Sequence, residues 1–127
     1  MVTDDFDGDG KMDLLLTTLE VWPAEKQAVR LFRNAIPDAG NWIGFRLREE
    51  VGNSPIGARV TLRHAGGAAV GQIVTGDSYR SQHANTIHFG LGQVARVDSV
   101  EIRWQNGRTR VLENPAINQY HRVSSAP

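Results

Sequence analysis

The sequence predicts an all-β protein whose larger part is an antiparallel β-sandwich. About seven short apolar segments recur at intervals of roughly 8–12 residues, which is typical of sandwiches and barrels. Glycine, asparagine and proline residues between these segments are typical of turns. No segment has the apolar period of an amphipathic helix.

The predicted strands extend from residue 14 to residue 123. In the segment 42–48, Ile43, Phe45 and Leu47 lie on one face and Arg46 and Arg48 on the other, which is the period of two expected for a half-buried strand. The segment 58–63 alternates in the same way. Further strands are predicted at 14–18, 28–33, 70–75, 86–89, 97–104, 109–112 and 119–123. Residues 90–92 are a predicted turn, and Asn106-Gly107 fits a type I′ hairpin.

The alternation also predicts which side chains form the core. Apolar residues on the inward face of each strand should pack together between two sheets. The predicted core consists of Phe45, Leu47, Val60, Leu62, Ile87, Phe89, Val100, Ile102 and Trp104.

An acidic loop near the start of the chain predicts a metal site. Aspartates fall on alternate residues around two glycines, and glycine allows a loop to curl tightly. Ca²⁺ takes roughly six to eight oxygen ligands, mainly carboxylates and carbonyls. The predicted ligands are the side chains of Asp5, Asp7, Asp9 and Asp13 and the backbone carbonyl of Lys11. The loop is not a full EF-hand, because Leu16 stands where that motif has a bidentate Glu. The alternative is an acidic surface turn without a ligand.

Two family resemblances follow from these residues. The loop 5–13, the run Leu14-Leu15-Leu16 and the segment 29–34 resemble an FG-GAP (VCBS-type) repeat, the blade unit of integrin-like β-propellers. The segments 56–60, 76–82, 89–92 and 100–104, followed by Asn106-Gly107, resemble an ASPIC/UnbV domain in order and spacing. The resemblance implies a β-hairpin remnant of a calcium-binding blade at 1–37 and an ASPIC/UnbV β-sandwich at 38–127. It also implies upstream propeller blades and an export signal in a longer secreted protein.

Composition and charge exclude several classes of function. The 127 residues carry no net charge and no cysteine, so disulfides and thiol chemistry are excluded. No apolar run is long enough to span a membrane, and no basic run indicates nucleic-acid binding. Residues 1–13 hold five Asp and one Lys, so the rest of the chain is mildly basic.

Four residues are candidates for ligand binding. Trp42 and Tyr79 lie at strand or loop margins and could stack on a sugar, although core packing is the common role of large aromatic residues. Arg59 and Arg63 suit carboxylate, sulfate or phosphate groups. The alternative for both arginines is a solvated strand face.

The sequence Gly76-Asp77-Ser78 resembles the nucleophile motif of one esterase class. That chemistry needs a base beside the serine and an acid beside the base. Those esterases also need helices that this chain lacks, so we expect no catalytic residues and no enzyme.

Two functions stay open at this point. The first is a non-catalytic extracellular calcium-binding adhesion module for a protein or glycan. The second is an accessory or hydrolytic domain of a secreted polysaccharide-active enzyme. The expected location is extracellular, periplasmic or at the cell surface, because weak calcium loops fill outside the cytosol. The apolar strand pair within residues 1–37 could also form a homodimer.

Overall fold

The computed structural model describes residues 1–48 and 53–125, which contain ten strands and no helix. The all-β prediction is therefore confirmed, and these residues offer no helix that could cross a membrane. The strands are β1 (Val2–Asp4), β2 (Asp13–Glu20), β3 (Lys26–Phe32), β4 (Asn41–Leu47), β5 (Arg59–His64), β6 (Gly67–Gln72), β7 (Thr86–Gly92), β8 (Ser99–Arg103), β9 (Thr109–Glu113) and β10 (Tyr120–Val123).

The chain forms two compact units. The first contains Met1–Asp38 and Gly76–Ala84, and the second contains Ala39–Thr75 and Asn85–Pro127. The predicted division into domains at 1–37 and 38–127 stays a prediction. The segment 76–84 interrupts the second unit in sequence and folds with the first.

The first unit contains an antiparallel sheet in the order β1-β2-β3. The long hairpin of β2 and β3 pairs Leu14 with Phe32 and Leu15 with Leu31. β1 is short and pairs with the start of β2, so that Asp4 lies opposite Asp13. This strand was not predicted, because three residues are too few to show a period.

The second unit contains two sheets, β10-β4-β7 and β6-β5-β8-β9. The predicted sandwich is confirmed, with one difference in strand direction: β10 pairs with β4 in parallel. Asn118 leads into this pairing, since its backbone N–H donates to the Trp42 carbonyl and its side-chain oxygen accepts from the Trp42 N–H. Alternation assigns a side chain to a face, but it carries no information on strand direction, so the sequence could not reveal this pairing.

The core lies between these two sheets, and the nine predicted core residues are all buried in it. Six further buried apolar residues complete it: Ile43, Ala58, Ile73, Leu91, Val97 and Val123. Burial of apolar surface is the main favourable term in folding, so this cluster stabilises the second unit.

Three local predictions are wrong. Residues 90–92 continue β7 rather than turn, because Leu91 is buried in the core. The predicted strand 70–75 begins earlier, at Gly67, because a two-residue turn joins His64 to Gly67. The hairpin after β8 is confirmed, but it is not type I′. The Gly107 N–H donates to the Trp104 carbonyl, and only Gly107 has a positive φ, which fits a type I turn followed by a left-handed glycine.

Truncation of Ile102 to Ala should lower the free energy of unfolding by about 2–5 kcal/mol, because its side chain is 0% exposed and the cavity would not collapse fully. Urea denaturation followed by circular dichroism measures this change. Val111→Ala is the control, because Val111 lies on the neighbouring strand and is 48% exposed. Equal losses for the two variants would contradict the assignment of faces.

Candidate metal centre

The acidic loop connects β1 to β2 and folds back on itself within eight residues. Gly8 and Gly10 have φ angles of 80° and 85°, in the left-handed region that other residues rarely adopt.

Three aspartates meet inside this loop. One oxygen each from Asp5, Asp7 and Asp13 lies within 4.8 Å of the other two. Asp5 and Asp13 are only 4% and 2% exposed, whereas Asp7 is exposed. Carboxylates this close repel one another unless positive charge or hydrogen-bond donors offset the repulsion.

Backbone donors satisfy the two buried carboxylates. The N–H groups of Gly8 and Gly10 donate to the two oxygens of Asp5 at 2.7 and 2.9 Å. The Asp13 carboxylate accepts from the Phe6 N–H at 3.1 Å and from the Asn34 N–H at 2.7 Å. Because Asn34 follows β3, Asp13 joins the loop to both strands of the long hairpin.

Two cations lie on the outer side of the loop. Arg33 donates from Nε to Asp7 and from a terminal nitrogen to Asp9 at 3.0 Å. The hydrogen bond to Asp7 and its charge raise the pKa of Arg33. The Lys11 ammonium lies 3.1 Å from Asp9. The pKa of Asp9 is lowered, first by the hydrogen bond from the Lys11 backbone N–H.

The five predicted ligand residues therefore divide into two groups. Asp5, Asp7 and Asp13 form the cluster of oxygens. Asp9 lies outside that cluster, where its carboxylate contacts Arg33 and Lys11. The Lys11 side chain lies beside Asp9, outside the cluster of oxygens. The donor set of carboxylate oxygens has the chemistry that a hard cation such as Ca²⁺ requires.

The sequence prediction missed the roles of Arg33 and Asn34. A signal for them existed, because four neighbouring acids require nearby positive charge and Arg33 directly follows an apolar strand. The register of β2 with β3 determines which residues contact the loop. The pairing of Leu14 with Phe32 brings the residues that follow β3 beside Asp13.

The four predicted ligand-binding residues do not form one site. Trp42 lies on the outer face of the β10-β4-β7 sheet, whereas Arg59 and Arg63 are exposed on the outer face of the other sheet of the sandwich. Tyr79 belongs to the first unit, where it is 90% exposed with a φ of 48° at the tip of a turn closed by Ser78 and Ser81.

Aromatic residues that were not predicted as ligand contacts surround Trp42. Its indole stacks on His88, with ring centroids 5.2 Å apart and an interplanar angle of 14°. The Tyr120 ring lies 4.8 Å from it on the other neighbouring strand. The Arg46 guanidinium lies 4.1 Å above the centre of the Tyr120 ring. We call these four residues the Trp42 cluster.

The serine motif in the loop 76–84 has part of a catalytic arrangement. His83 Nδ1 lies 3.1 Å from an Asp77 carboxylate oxygen. The Ser78 hydroxyl donates to the Met1 carbonyl instead of to a histidine. The described contacts therefore hold a histidine beside an acid, with the serine hydrogen-bonded elsewhere.

Comparison with known proteins assigns the family. The family model described as ASPIC and UnbV matches residues 50–127, which is more than half of the chain. The chain belongs to the ASPIC and UnbV family. The predicted ASPIC/UnbV resemblance is thereby confirmed.

Three relatives of this ASPIC and UnbV chain carry the name cartilage acidic protein 1. The mouse protein is 34% identical over 108 residues, which are 84% of this chain and 16% of the relative. The human protein is 34% identical over 123 residues, or 96% of this chain and 18% of the relative. The Xenopus tropicalis protein is 32% identical over 117 residues, or 90% and 18%. The chain thus spans less than a fifth of the length of these relatives.

Replacement of Asp13 by Ala should destabilise the first unit even without metal. Two partly buried N–H donors would lose their acceptor, at a cost of about 1–3 kcal/mol. Hydrogen exchange of the β2 amides in EDTA measures this loss. Glu25→Ala removes the same charge from an exposed position and is the control. If both variants exchange like the parent chain, Asp13 does not hold the loop to the hairpin.

Proposed function

We propose that this chain is a non-catalytic extracellular module that binds Ca²⁺ in its acidic loop and a protein or glycan on its sandwich. The convergence of Asp5, Asp7 and Asp13 within 4.8 Å is the observation that supports calcium binding most directly. A divalent cation would offset the repulsion of these carboxylates more completely than Arg33, which reaches Asp7 from the exposed side.

Three carboxylates do not complete the coordination of Ca²⁺, which takes roughly six to eight oxygens. We include Asp9 and the backbone carbonyl of Lys11 in the proposed ligand set, because both lie on the same tightly curled loop. Binding would then require Asp9 to exchange its contacts with Lys11 and Arg33 for the metal.

The long hairpin supports the proposal that residues 1–37 are part of an FG-GAP repeat. On one face, Val29 and Leu31 are 70% and 57% exposed, and on the other face Phe32 is also exposed. Strands with apolar residues on both faces are typical of sheets covered on both sides. We propose that upstream propeller blades of a longer protein cover this hairpin.

The relatives support the proposed location, since they are named for cartilage, a tissue rich in extracellular matrix. The proposed calcium site supports the same location, because loop sites of modest affinity bind Ca²⁺ where the free ion is abundant. We propose that the chain functions outside the cytosol, in the extracellular space, the periplasm or at a cell surface.

The accessory or hydrolytic domain of a polysaccharide-active enzyme is the alternative. The pair of Asp77 and His83 is the one observation in its favour. A nucleophile must lie within hydrogen-bond reach of its base. The hydrogen bond from Ser78 to Met1 favours a structural role for this serine.

Calorimetry with Ca²⁺ tests the proposed metal site. The parent chain should bind one ion, and Asp7→Ala and Asp9→Ala should each weaken binding at least about tenfold, because each removes a charged ligand. Asp7 is the sharper test, since it is exposed and belongs to the cluster of three carboxylates. Glu25→Ala is the control for lost charge. If Asp7→Ala binds Ca²⁺ like the control, the cluster is not the site.

Arg33→Gln should raise the affinity for Ca²⁺, whereas the aspartate variants should lower it. Removal of the guanidinium frees an oxygen of Asp7 and increases repulsion in the metal-free loop, so Ca²⁺ should bind several-fold more tightly. Weaker binding by this variant would mean that Arg33 positions the ligands instead of competing with the ion.

The exposed hairpin also supports a homodimer of this chain through residues 1–37. Size-exclusion chromatography with light scattering should show a fraction of dimer that increases with protein concentration. A large apolar face and open strand edges favour this association. A double variant, Val29→Thr with Leu31→Thr, should stay monomeric. Val111→Thr on the sandwich is the control. A parent chain that stays monomeric at high concentration would refute the dimer.

A further inference from the structure

The Trp42 cluster lies on the outer face of the β10-β4-β7 sheet. Toward β10, Tyr120 lies across Gly44, where an added Cβ would come within 2.2 Å of the ring. Toward β7, His88 stacks on the indole, but Gly90, which pairs directly with Trp42, leaves room, because an added Cβ there would meet nothing within 4 Å. A shallow space therefore exists beside the half-buried indole, at the edge strand of this sheet.

Positive charge lies farther along the same face, where Arg46 is four residues beyond Trp42 on β4. Arg46 and Arg122 are cross-strand partners on the same face of the sheet. Like charges directly opposite each other destabilise a sheet. Within residues 1–48 and 53–125, no carboxylate forms an ion pair with either arginine. Arg46 instead rests on the Tyr120 ring, one ring away from Trp42.

These features together select one class of ligand. An indole beside an open space suits the apolar face of a sugar ring, because aromatic side chains offer large flat surfaces at low entropic cost. A guanidinium fork pairs with a carboxylate through two hydrogen bonds. A neutral sugar would leave the two arginines unused, and an acidic peptide has no need of the indole or of the space above Gly90.

We propose that this face binds an acidic oligosaccharide, with one sugar ring against Trp42 above Gly90 and a sugar carboxylate on Arg46 and Arg122. This inference rests on the proposed ligand-binding role of the sandwich and names its site and ligand class. It does not involve the acidic loop, because all four residues belong to the second unit.

Titration with trigalacturonate, a short chain of uronic acids, tests the proposal. Binding should be followed by NMR of the backbone amides and the indole N–H groups, in EDTA because uronates themselves bind Ca²⁺. The parent chain should bind with shifts centred on Trp42, His88 and Gly90. The neutral trisaccharide of galactose should bind at least about tenfold more weakly, which is the scale of one lost charge-assisted hydrogen bond.

Two variants separate the parts of the site. Gly90→Leu fills the open space without backbone strain, because Gly90 does not have a positive φ, and it should abolish binding. Arg46→Gln keeps the stem of the side chain and should weaken binding at least about tenfold. The matched control is Arg59→Gln, which removes the same charge from an exposed position on the opposite sheet. Amide spectra of each variant report whether the fold is intact, and Arg122→Gln replaces Arg46→Gln if that variant unfolds.

Several results would overturn the proposal. Equal weakening by Arg59→Gln would mean diffuse attraction to a basic surface, and unchanged binding in Gly90→Leu would remove the space beside Trp42 from the site. Equal binding of tetraglutamate would indicate an acidic peptide as the ligand. Absence of trigalacturonate binding to the parent chain would refute the acidic sugar site, while calcium calorimetry would still decide the proposed metal site independently.

Discussion

Burial of alternate apolar side chains between two sheets is the interaction on which the second unit depends. Phe45 and Ile102 are fully enclosed there, and each belongs to a strand whose other face points away from the core. This arrangement commits one face of every central strand to packing. The outer faces are consequently available for function, and their side chains can vary with little effect on the core.

The two outer faces differ in chemistry, although both are rich in arginine. Arg59 and Arg63 stand exposed on one sheet without aromatic neighbours in the described contacts. On the other sheet, rings from three strands converge around Trp42, and Gly44 provides the room in which Tyr120 lies flat. A glycine at the centre of a strand usually weakens it. Here its absent side chain permits the aromatic contact.

Charged and hydrogen-bonding groups order the acidic loop of the first unit, whose sheet leaves much apolar surface exposed. Asp5 and Asp13 accept hydrogen bonds from the loop backbone and from the end of β3, and Arg33 neutralises Asp7 from outside. Residues that could bind a metal therefore also hold the loop in shape, so metal binding and local stability are expected to be coupled.

The sequence by itself determined most of the strands, the inward faces and the acidic loop, because each depends on neighbouring residues. Alternation identified all nine predicted core residues, and the spacing of Asp5, Asp7 and Asp13 anticipated their convergence. Only the tertiary structure decided which distant segments meet. The parallel direction of β10, the contact of Arg33 with Asp7 and the assembly of Trp42, His88 and Tyr120 all depend on strand pairing. A period of two specifies a face but neither a partner nor a direction, so these contacts could not be inferred from sequence alone.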